Sequence, residues 1–381
     1  MRATISVKRV QEVMDLIGRF VSRHATLPIL ENVYIKCGID TIIFRATDME
    51  KYIEIEVPAQ LDDEGVITVN AKTFADILKT IDDDQLTLVI EESQSQMTII
   101  SSQDEFKIKW ISGSEYVAIP DIKSEGSLQL ETSTLVTWID KVEYAVTEKN
   151  FSPVLTGVFI RIKDEEGKKY MIFVGTDSFR LAEWKIPYYG DTNQPFSCII
   201  PKVHINDIKR VAEYAMNNGT ENLTCTYANN MVEFTFDIDD MTVMCSCLLI
   251  QWSFPDYEQE SIIPTTWNTK ALVDSNQFDK AIKKIEILTR DMNNYISVKG
   301  EGDKILLTSG ETDRGHADTH TSALIEGDDF AYGVNGKYIS DFLKCVQSDE
   351  IIMKVIDGEK PIILRDKEDD MFTYVVRPLV K

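Results

Sequence analysis

The sequence has no long apolar run and few cysteines. No stretch of its 381 residues approaches a membrane-spanning length, and its first residues lead into a charged amphipathic segment rather than a signal peptide. The six cysteines include no CxxC pair and no short-chain disulfide framework. Cys245 and Cys247 alternate within a β-type run, so they should share one face and pack as small apolar residues. We therefore expect a protein of a reducing compartment, in the cytoplasm, with no membrane association.

The sequence is also short of positive charge. It has 40 Lys and Arg against 63 Asp and Glu, which gives a net charge of −23. Affinity for nucleic acid comes from clustered cations that displace the counterions of phosphate. The charge balance therefore argues against a simple DNA-binding protein, and any nucleic-acid role must explain it.

Common catalytic motifs are absent too. The sequence contains no P-loop, no GxGxxG after a strand, no HExxH and no GxSxG. The best catalytic-looking cluster is His316, Asp318 and His320, which would project from one face of a strand. It lies in a polar, exposed stretch, so we expect a structural role, with no metal, no cofactor and no catalytic residue.

A polar turn after a β-type run stands near the middle of the chain. The run KYMIF (169–173) is followed by VGTDSFRLA (174–182). Small polar residues arrive where the strand should turn, with Asp177 to hold the turn and Arg180 three residues later. The pattern predicts a strand end held by polar contacts beside an apolar surface.

Three copies of one domain-sized unit follow one another along the chain. NAK (70–72) with DILK (76–79) recurs as NGK (335–337) with DFLK (341–344), and a weaker copy is PK (201–202) with DIK (207–209). Each unit opens with an amphipathic helix, after Ser6, Ser133 and Ser275 as candidate caps. The repeat spacing and the Pro- and Gly-containing interruptions predict three domains, 1–124, 125–258 and 259–381.

The rest of each unit is β-like. Short runs rich in Val, Ile, Phe and Thr occur at 86–90, 97–100, 157–162, 232–238 and 305–308. We therefore predict an α+β fold of three repeated domains, each with two helices packed on an antiparallel sheet. The predicted helices carry a slight positive charge, whereas the sheets and loops carry the negative excess. This distribution fits helices that face nucleic acid, although it also fits ordinary helix preference with acidic residues for solubility.

Five motifs in this order resemble the bacterial sliding clamp, the β subunit of DNA polymerase III. They are TLPIL (26–30), PVLTG (153–157), VGTDSFRLA (174–182), SFPDY (253–257) and YVVRPLVK (374–381). The resemblance implies a non-catalytic clamp fold that dimerises head to tail into a ring around duplex DNA. It also implies that the DNA polymerase and the clamp loader bind through short linear peptides.

The resemblance carries three sets of residues onto this sequence. The peptide cleft would contain Leu155, Thr176, Ser178, Phe179, Arg180, Leu181, Pro255, Tyr338, Val375, Val376, Pro378 and Leu379. The DNA-facing residues would be Arg23, His24, Lys149, Lys202, Lys209, Arg210, Lys280 and Lys284. The dimer interface would join Ile77, Leu78 and Phe106 of one chain to Ile287 and Leu288 of the other.

Some residues depart from the family pattern. Phe179 stands where a histidine is common, Glu258 and Gln259 where basic or apolar residues are usual, and Arg377 where an apolar residue is common. They indicate a diverged clamp with an altered peptide preference. Two other interpretations stay open: an acidic β-rich scaffold that binds a protein partner without DNA, and a hydrolase that uses the His316 to His320 cluster.

Overall fold

The fold is taken from a computed structural model, which describes residues 2–22, 27–91, 95–148, 152–190, 196–311, 313 and 315–379. These residues divide into two compact units. The first unit contains residues 1–136 and 203–249, and the second contains 137–202 and 250–381. No helix in the described part of the chain is long and apolar enough to cross a membrane.

The described residues form six α-helices, two in each sequence repeat. They are α1 (Val7–Ile17), α2 (Ala71–Leu78), α3 (Thr132–Val142), α4 (Lys202–Asn217), α5 (Ser275–Thr289) and α6 (Gly336–Leu343). Helices α1 and α2 pack together in the first unit, and α5 and α6 pack together in the second. The prediction of two helices for each repeat is confirmed.

The helix caps were predicted correctly at one of three places. Ser6 caps α1, since its side chain accepts a hydrogen bond from the Arg9 N–H. Helix α3 already includes Ser133, and α5 already includes Ser275. The α5 cap is Asp274, whose carboxylate accepts from the Gln277 N–H at 2.7 Å. Asp274 and Ser275 are both good capping residues, and the cap is Asp274 because the helix begins one residue earlier than predicted.

The described residues also form twenty-five strands and a few short 3-10 helices. In chain order they are β1 (Arg2–Ser6), β2 (Asn32–Cys37), β3 (Thr41–Thr47), β4 (Lys51–Pro58), β5 (Gln60–Leu61), β6 (Gly65–Asn70), β7 (Gln85–Glu91), β8 (Gln96–Ile100), β9 (Glu105–Ser112), β10 (Gly126–Glu131), β11 (Gly157–Glu165), β12 (Lys168–Thr176), β13 (Arg180–Pro187), β14 (Ser197–Pro201), β15 (Asn222–Tyr227), β16 (Met231–Ile238), β17 (Met241–Leu248), β18 (Thr269–Asp274), β19 (Tyr295–Glu301), β20 (Lys304–Thr308), β21 (Asp318–Gly327), β22 (Phe330–Asn335), β23 (Glu350–Val355), β24 (Ile362–Asp366) and β25 (Phe372–Val376). The five predicted β runs all lie in strands.

Each unit is built on one long antiparallel sheet. In the first unit the order is β10-β15-β16-β17-β4-β3-β2-β6-β9-β8-β7-β1-β5. In the second it is β14-β11-β12-β13-β25-β24-β23-β18-β21-β20-β19-β22. The strands of the central repeat are therefore shared: β10 and β15 to β17 belong to the first sheet, and β11 to β14 to the second. The antiparallel sheets that the sequence predicts are confirmed, but the central repeat contributes strands to both of them instead of forming one sheet of its own.

The cores of the two units follow the alternation of the strands. Large side chains such as Phe44, Phe236, Phe173 and Tyr374 are fully buried. Cysteines at 245 and 247 are 0% exposed in β17, and burial raises the pKa of both thiols. The expectation that these cysteines pack as small apolar residues is confirmed.

Candidate functional site

The turn between β12 and β13 is held by its own side chains. The Thr176 hydroxyl donates to the Arg180 carbonyl at 2.7 Å, and Asp177 accepts from the N–H groups of Phe179 and Arg180 at 2.9 and 3.0 Å. Ser178 completes the turn with φ of +76°, in the left-handed region. The predicted polar strand end is confirmed, and it leaves Phe179 55% exposed at the tip.

Gly175 allows this hairpin to approach the end of α3 closely. A Cβ on Gly175 would lie 2.2 Å from the Val142 carbonyl oxygen, a distance that no side chain can occupy. The glycine in the motif is therefore a packing requirement. The absence of a side chain lets the end of β12, which leads into Thr176 and Asp177, pack directly against the end of α3.

Arg180 anchors the start of β13 through a buried polar network. Its guanidinium donates to Asp177 at 3.0 Å, to Asp341 at 2.8 Å and to the Tyr144 carbonyl at 2.6 Å. It also lies over the Tyr338 ring, 4.5 Å from the centroid. With 11% of its side chain exposed, Arg180 has little donor capacity left for a ligand.

Strand β25 pairs with β13 and supplies the next wall. Leu181 lies opposite Val375, and Arg180 lies opposite Val376. Successive side chains on a strand point to opposite faces, so Val375 and Val376 cannot serve the same surface. Val375 reaches the outer cavity, whereas Val376 is 0% exposed in the core.

These elements enclose a mostly apolar cleft of about 370 Å³. Its lining residues come from the β12–β13 turn, β25 and the segments around 155, 254–262 and 361: Leu155, Thr176, Ser178, Phe179, Arg180, Leu181, Phe254, Pro255, Tyr257, Ser261, Ile262, Pro361, Val375 and Arg377. The floor continues into a buried cluster that includes Ile172, Val174 and Ile363. An apolar floor with a few polar groups at the rim is typical of a binding site.

Segment 254–257 is held against the sheet by aromatic and polar contacts. Phe254 stacks on Phe159 at a centroid distance of 4.6 Å. Tyr257 is 4% exposed, and its hydroxyl accepts from Arg161 at 3.2 Å. Burial raises the pKa of the Tyr257 hydroxyl and of the neighbouring Glu183 carboxyl, which share a side-chain hydrogen bond. These contacts hold the segment 254–257, and with it Pro255, in place at the cleft.

The cleft contains eight of the twelve residues expected there, and four lie elsewhere. Val376 belongs to the core. Tyr338 lies behind Arg180, and its carbonyl accepts from the Tyr374 hydroxyl at 2.9 Å. Pro378 and Leu379 are half-buried beyond β25, where the Leu379 N–H donates to the Gly333 carbonyl. All four therefore lie outside the lining of this cleft, and their part in peptide binding stays a prediction.

Six lining residues were not expected: Phe254, Tyr257, Ser261, Ile262, Pro361 and Arg377. Phe254 and Tyr257 lie within the SFPDY motif, so the motif itself could have indicated them. Arg377 was noticed only as a departure from the family pattern. Nothing in the local sequence indicates Pro361, because it reaches the cleft through the pairing of β24 with β25.

The proposed DNA-facing residues differ in whether an acidic side chain already pairs with them. Lys202 pairs with Glu143 at 3.3 Å, Lys209 with Glu213 at 3.4 Å and Arg210 with Glu213 at 2.9 Å. On α5, Lys280 and Lys284 are both exposed one turn apart. The remaining three, at positions 23, 24 and 149, lie outside the described residues.

The proposed interface residues also differ in exposure. Ile287 is 61% exposed on α5, and Leu288, Ile77 and Phe106 are partly exposed. Leu78 is 0% exposed in the core of the first unit. This corrects the expectation that Leu78 offers a contact surface, because the helix turns it inward beneath Ile77.

His316 and Asp318, singled out in the sequence, form an exposed hydrogen-bonded pair. The Asp318 carboxylate accepts a hydrogen bond from the His316 ring at 2.8 Å, and this hydrogen bond raises the pKa of His316. Within the described ranges, no group of three His, Cys, Asp or Glu is arranged to hold a metal ion. A larger cavity of about 670 Å³ beside α1 and α2 is lined mainly by polar and charged residues, among them Asp15, Arg19 and Lys72.

Comparison with known proteins gives full-length matches. The chain matches the family models of the DNA polymerase III beta subunit for the N-terminal domain over residues 1–120, the central domain over 129–256 and the C-terminal domain over 260–380. Beta sliding clamps of Staphylococcus epidermidis and Staphylococcus aureus are each 27% identical over 369 residues, which cover 94% of both chains.

Solved structures agree on the fold. The DNA polymerase sliding clamp of Bacillus subtilis matches with a TM-score of 0.91 at 23% identity, over 100% of this chain and 99% of that one. The sliding clamp of Caulobacter crescentus matches with a TM-score of 0.91 at 24% identity, over 100% of both chains. The three family models together account for nearly the whole sequence. The chain therefore belongs to the DNA polymerase III beta subunit family, the beta sliding clamps, which are non-catalytic.

Proposed function

We propose that two copies of this chain close head to tail into a ring around duplex DNA and hold the replicative polymerase there for processive synthesis. The observation that carries the proposal is the unbroken series of three clamp-domain matches along the sequence. A head-to-tail contact that closes after two copies leaves no free binding edge. The domains are proposed to be 1–124, 125–258 and 259–381.

The charge of the chain supports a topological hold on DNA. A ring needs no tight phosphate contact, and strong contacts would stop it from sliding. Lys280 and Lys284 give α5 an exposed, weakly basic face, whereas the chain as a whole carries −23. We propose that the helices face the DNA and that the acidic remainder keeps DNA from binding elsewhere.

The ring interface is proposed to join the first domain of one copy to the third domain of the other. Ile77 and Phe106 are partly exposed apolar residues of the first domain. Ile287 and Leu288 lie next to each other on α5. Ile287 is 61% exposed, so this apolar side chain is not used by the core of its own unit and is accessible to a partner surface. Leu78 would support this contact from beneath.

The cleft is proposed to receive short peptides from the polymerase and the clamp loader. Its floor residues Leu155, Leu181 and Val375 are apolar, and the pairing of β13 with β25 holds Leu181 opposite Val375. Such a cleft gains about 1.5–3 kcal/mol for each Leu, Phe or Met anchor that it buries fully, before ordering costs are subtracted. Micromolar affinity is the natural expectation, and it suits partners that must exchange.

Retention on circular and linear DNA tests the ring. The protein is loaded by transient opening or with a clamp loader on nicked circles, passed through a sizing column, and compared with the same DNA linearised. Only an encircling ring stays on circles and leaves by free ends. Light scattering on the same sample must give a dimer. A protein that is monomeric, or that binds both DNAs equally, contradicts the proposal.

The acidic scaffold without a DNA role is not favoured by the family match. Such a scaffold would bind peptides in the cleft, but its retention would be the same on circular and on linear DNA. The retention experiment therefore separates the ring from the scaffold, although both interpretations predict peptide binding.

A further inference from the structure

We propose that Arg377 makes the cleft selective for peptides that carry a carboxylate beside their apolar anchors. The proposal rests on the peptide-binding function above and adds the chemistry of the preferred ligand. It is carried by one unusual combination: an exposed guanidinium at the edge of an apolar cleft, next to an exposed aromatic ring.

The backbone fixes the position of Arg377. It directly follows β25, and its N–H donates to the Phe179 carbonyl at 2.9 Å. This hydrogen bond extends the pairing of β13 with β25, in which Arg180 lies opposite Val376. Arg377 and Phe179 therefore stand as neighbours on one rim, and both line the cleft.

The charge of Arg377 is available to a ligand. Among the described residues, its guanidinium has no salt bridge or side-chain hydrogen bond, and the side chain is exposed. The other charged lining residue, Arg180, is already bound by Asp177 and Asp341. A ligand in the cleft consequently meets one uncommitted positive charge from the lining.

The surroundings make a carboxylate the best match for that charge. Guanidinium presents a planar fork of donors that fits a carboxylate with two parallel hydrogen bonds. The apolar wall from Phe179, Val375 and Pro361 removes part of the competing water. The chain as a whole carries −23, which repels acidic peptides at long range. A local cation at the rim is thus the element that would favour an acidic residue, and it would disfavour Lys or Arg there.

A phosphate of DNA is the weaker alternative. Binding to nucleic acid needs several clustered cations. The other cation of this cleft, Arg180, is 11% exposed in its side chain and paired on two sides. A single free guanidinium beside apolar anchors suits a peptide carboxylate better, and DNA enters the test below as a competitor.

Fluorescence polarisation with two sets of three synthetic peptides tests the proposal. They share Leu and Phe anchors and differ at one flanking position, which is Asp, Asn or Lys, and a second set places the variable residue on the other side of the anchors. The proteins are wild type, Arg377→Met, which keeps an apolar stem, Arg377→Lys, which keeps the charge without the fork, and Lys304→Ala. Lys304 is exposed in β20 and absent from the cleft lining, so it controls for net charge.

In one of the two sets, wild type should bind the Asp peptide about two- to fivefold more tightly than the Asn peptide at low salt, the range expected of a solvent-exposed ion pair. The Lys peptide should bind more weakly than both. Arg377→Met should lose the Asp preference and keep its affinity for the Asn peptide, Arg377→Lys should retain part of the preference, and Lys304→Ala should retain all of it. Raising the salt should reduce the preference in wild type.

Three outcomes overturn the inference: no Asp preference in wild type in either set, the same preference in Arg377→Met, or its loss in Lys304→Ala. Displacement of the Asp peptide by short duplex DNA in wild type but not in Arg377→Met would assign Arg377 to phosphate instead. If the Asn peptide binds wild type in any of these cases, the cleft remains a peptide site. If no peptide binds wild type, the proposed peptide-binding function fails.

Discussion

Replacing Arg180 by Met removes the central cation of the network behind the cleft while keeping an apolar stem of similar length. The change leaves Asp341, whose side chain is 11% exposed, with Lys344 at 2.8 Å as its remaining cation. Asp177 keeps the backbone N–H groups of Phe179 and residue 180. The Tyr144 carbonyl loses its guanidinium donor.

The size of the effect follows from these remaining contacts. Removing one partner of a buried ion pair costs about 3–5 kcal/mol, because the other charge stays buried without compensation. The surviving partners of Asp341 and Asp177 place the expected loss near the lower end, about 3 kcal/mol in the free energy of unfolding. Adding Asp341→Asn removes the uncompensated charge. The double variant should therefore regain about 1–2 kcal/mol over the single variant, as expected for residues in direct contact.

The loss should depend on pH in a defined direction. Burial alone would raise the pKa of Asp341, but hydrogen bonds from Lys344 and Arg180 outweigh it and lower the pKa. A carboxyl with a lowered pKa in the folded state stabilises the protein above its unfolded pKa, and that stabilisation is lost as pH falls through the folded value. The difference between wild type and Arg180→Met should thus be full at neutral pH and shrink below about pH 4.

Urea unfolding followed by tryptophan fluorescence measures this loss. Four of the five tryptophans lie in the second unit, at positions 138, 184, 252 and 267, so the signal reports mainly on the unit that contains Arg180. Peptide affinity measured on the folded variant reports separately on the cleft. A loss under about 1 kcal/mol, no recovery in the double variant, or a loss that grows in acid would refute the reasoning.

Three further predictions concern the ring, the DNA and the tail. Leu288→Glu should convert the dimer to monomers by light scattering, whereas Ile39→Glu, a change at an 83% exposed residue of a turn, should not; an unchanged dimer in the first variant would contradict the proposed interface. Replacing Lys280 or Lys284 by Ala should lower DNA affinity slightly and reduce the slope of log affinity against log salt by roughly one unit or less, measured by anisotropy on duplex DNA, and a strong sequence preference would count against phosphate contact alone. Deleting residues 377–381 removes the rim cation and the hydrogen bond from Leu379 to Gly333, so peptide affinity should fall while the dimer persists; full peptide affinity in the truncated protein would place the binding surface elsewhere.

The sequence by itself determined most of the local structure. Apolar spacing indicated the paired helices of each repeat, because a helix must bury one stripe of its surface. The run of β residues followed by Gly175, Thr176 and Asp177 predicted the turn that carries the cleft. Turn chemistry depends on residues close in the chain, so Asp177 could be recognised as its holding group without any tertiary contact.

Pairing between distant strands was decided only by the tertiary structure. The sequence pattern could not show that β17 pairs with β4, or β13 with β25, because the hydrogen bonds between strands are made by backbone groups that every residue except proline carries. These pairings spread the central repeat over two sheets. They also bring Pro361 and Arg377 to the cleft from positions about 200 residues after Leu155.

The face that a residue presents was likewise a tertiary outcome. Val375 and Val376 are adjacent and chemically identical, and only the register of β25 against β13 decides that the first reaches the cleft and the second the core. On helix α2 the adjacent Ile77 and Leu78 also differ in burial, because successive helix positions point in different directions and only Leu78 faces the core. A shift of one residue reverses every side chain on a strand, so burial depends on long-range pairing that no short motif records.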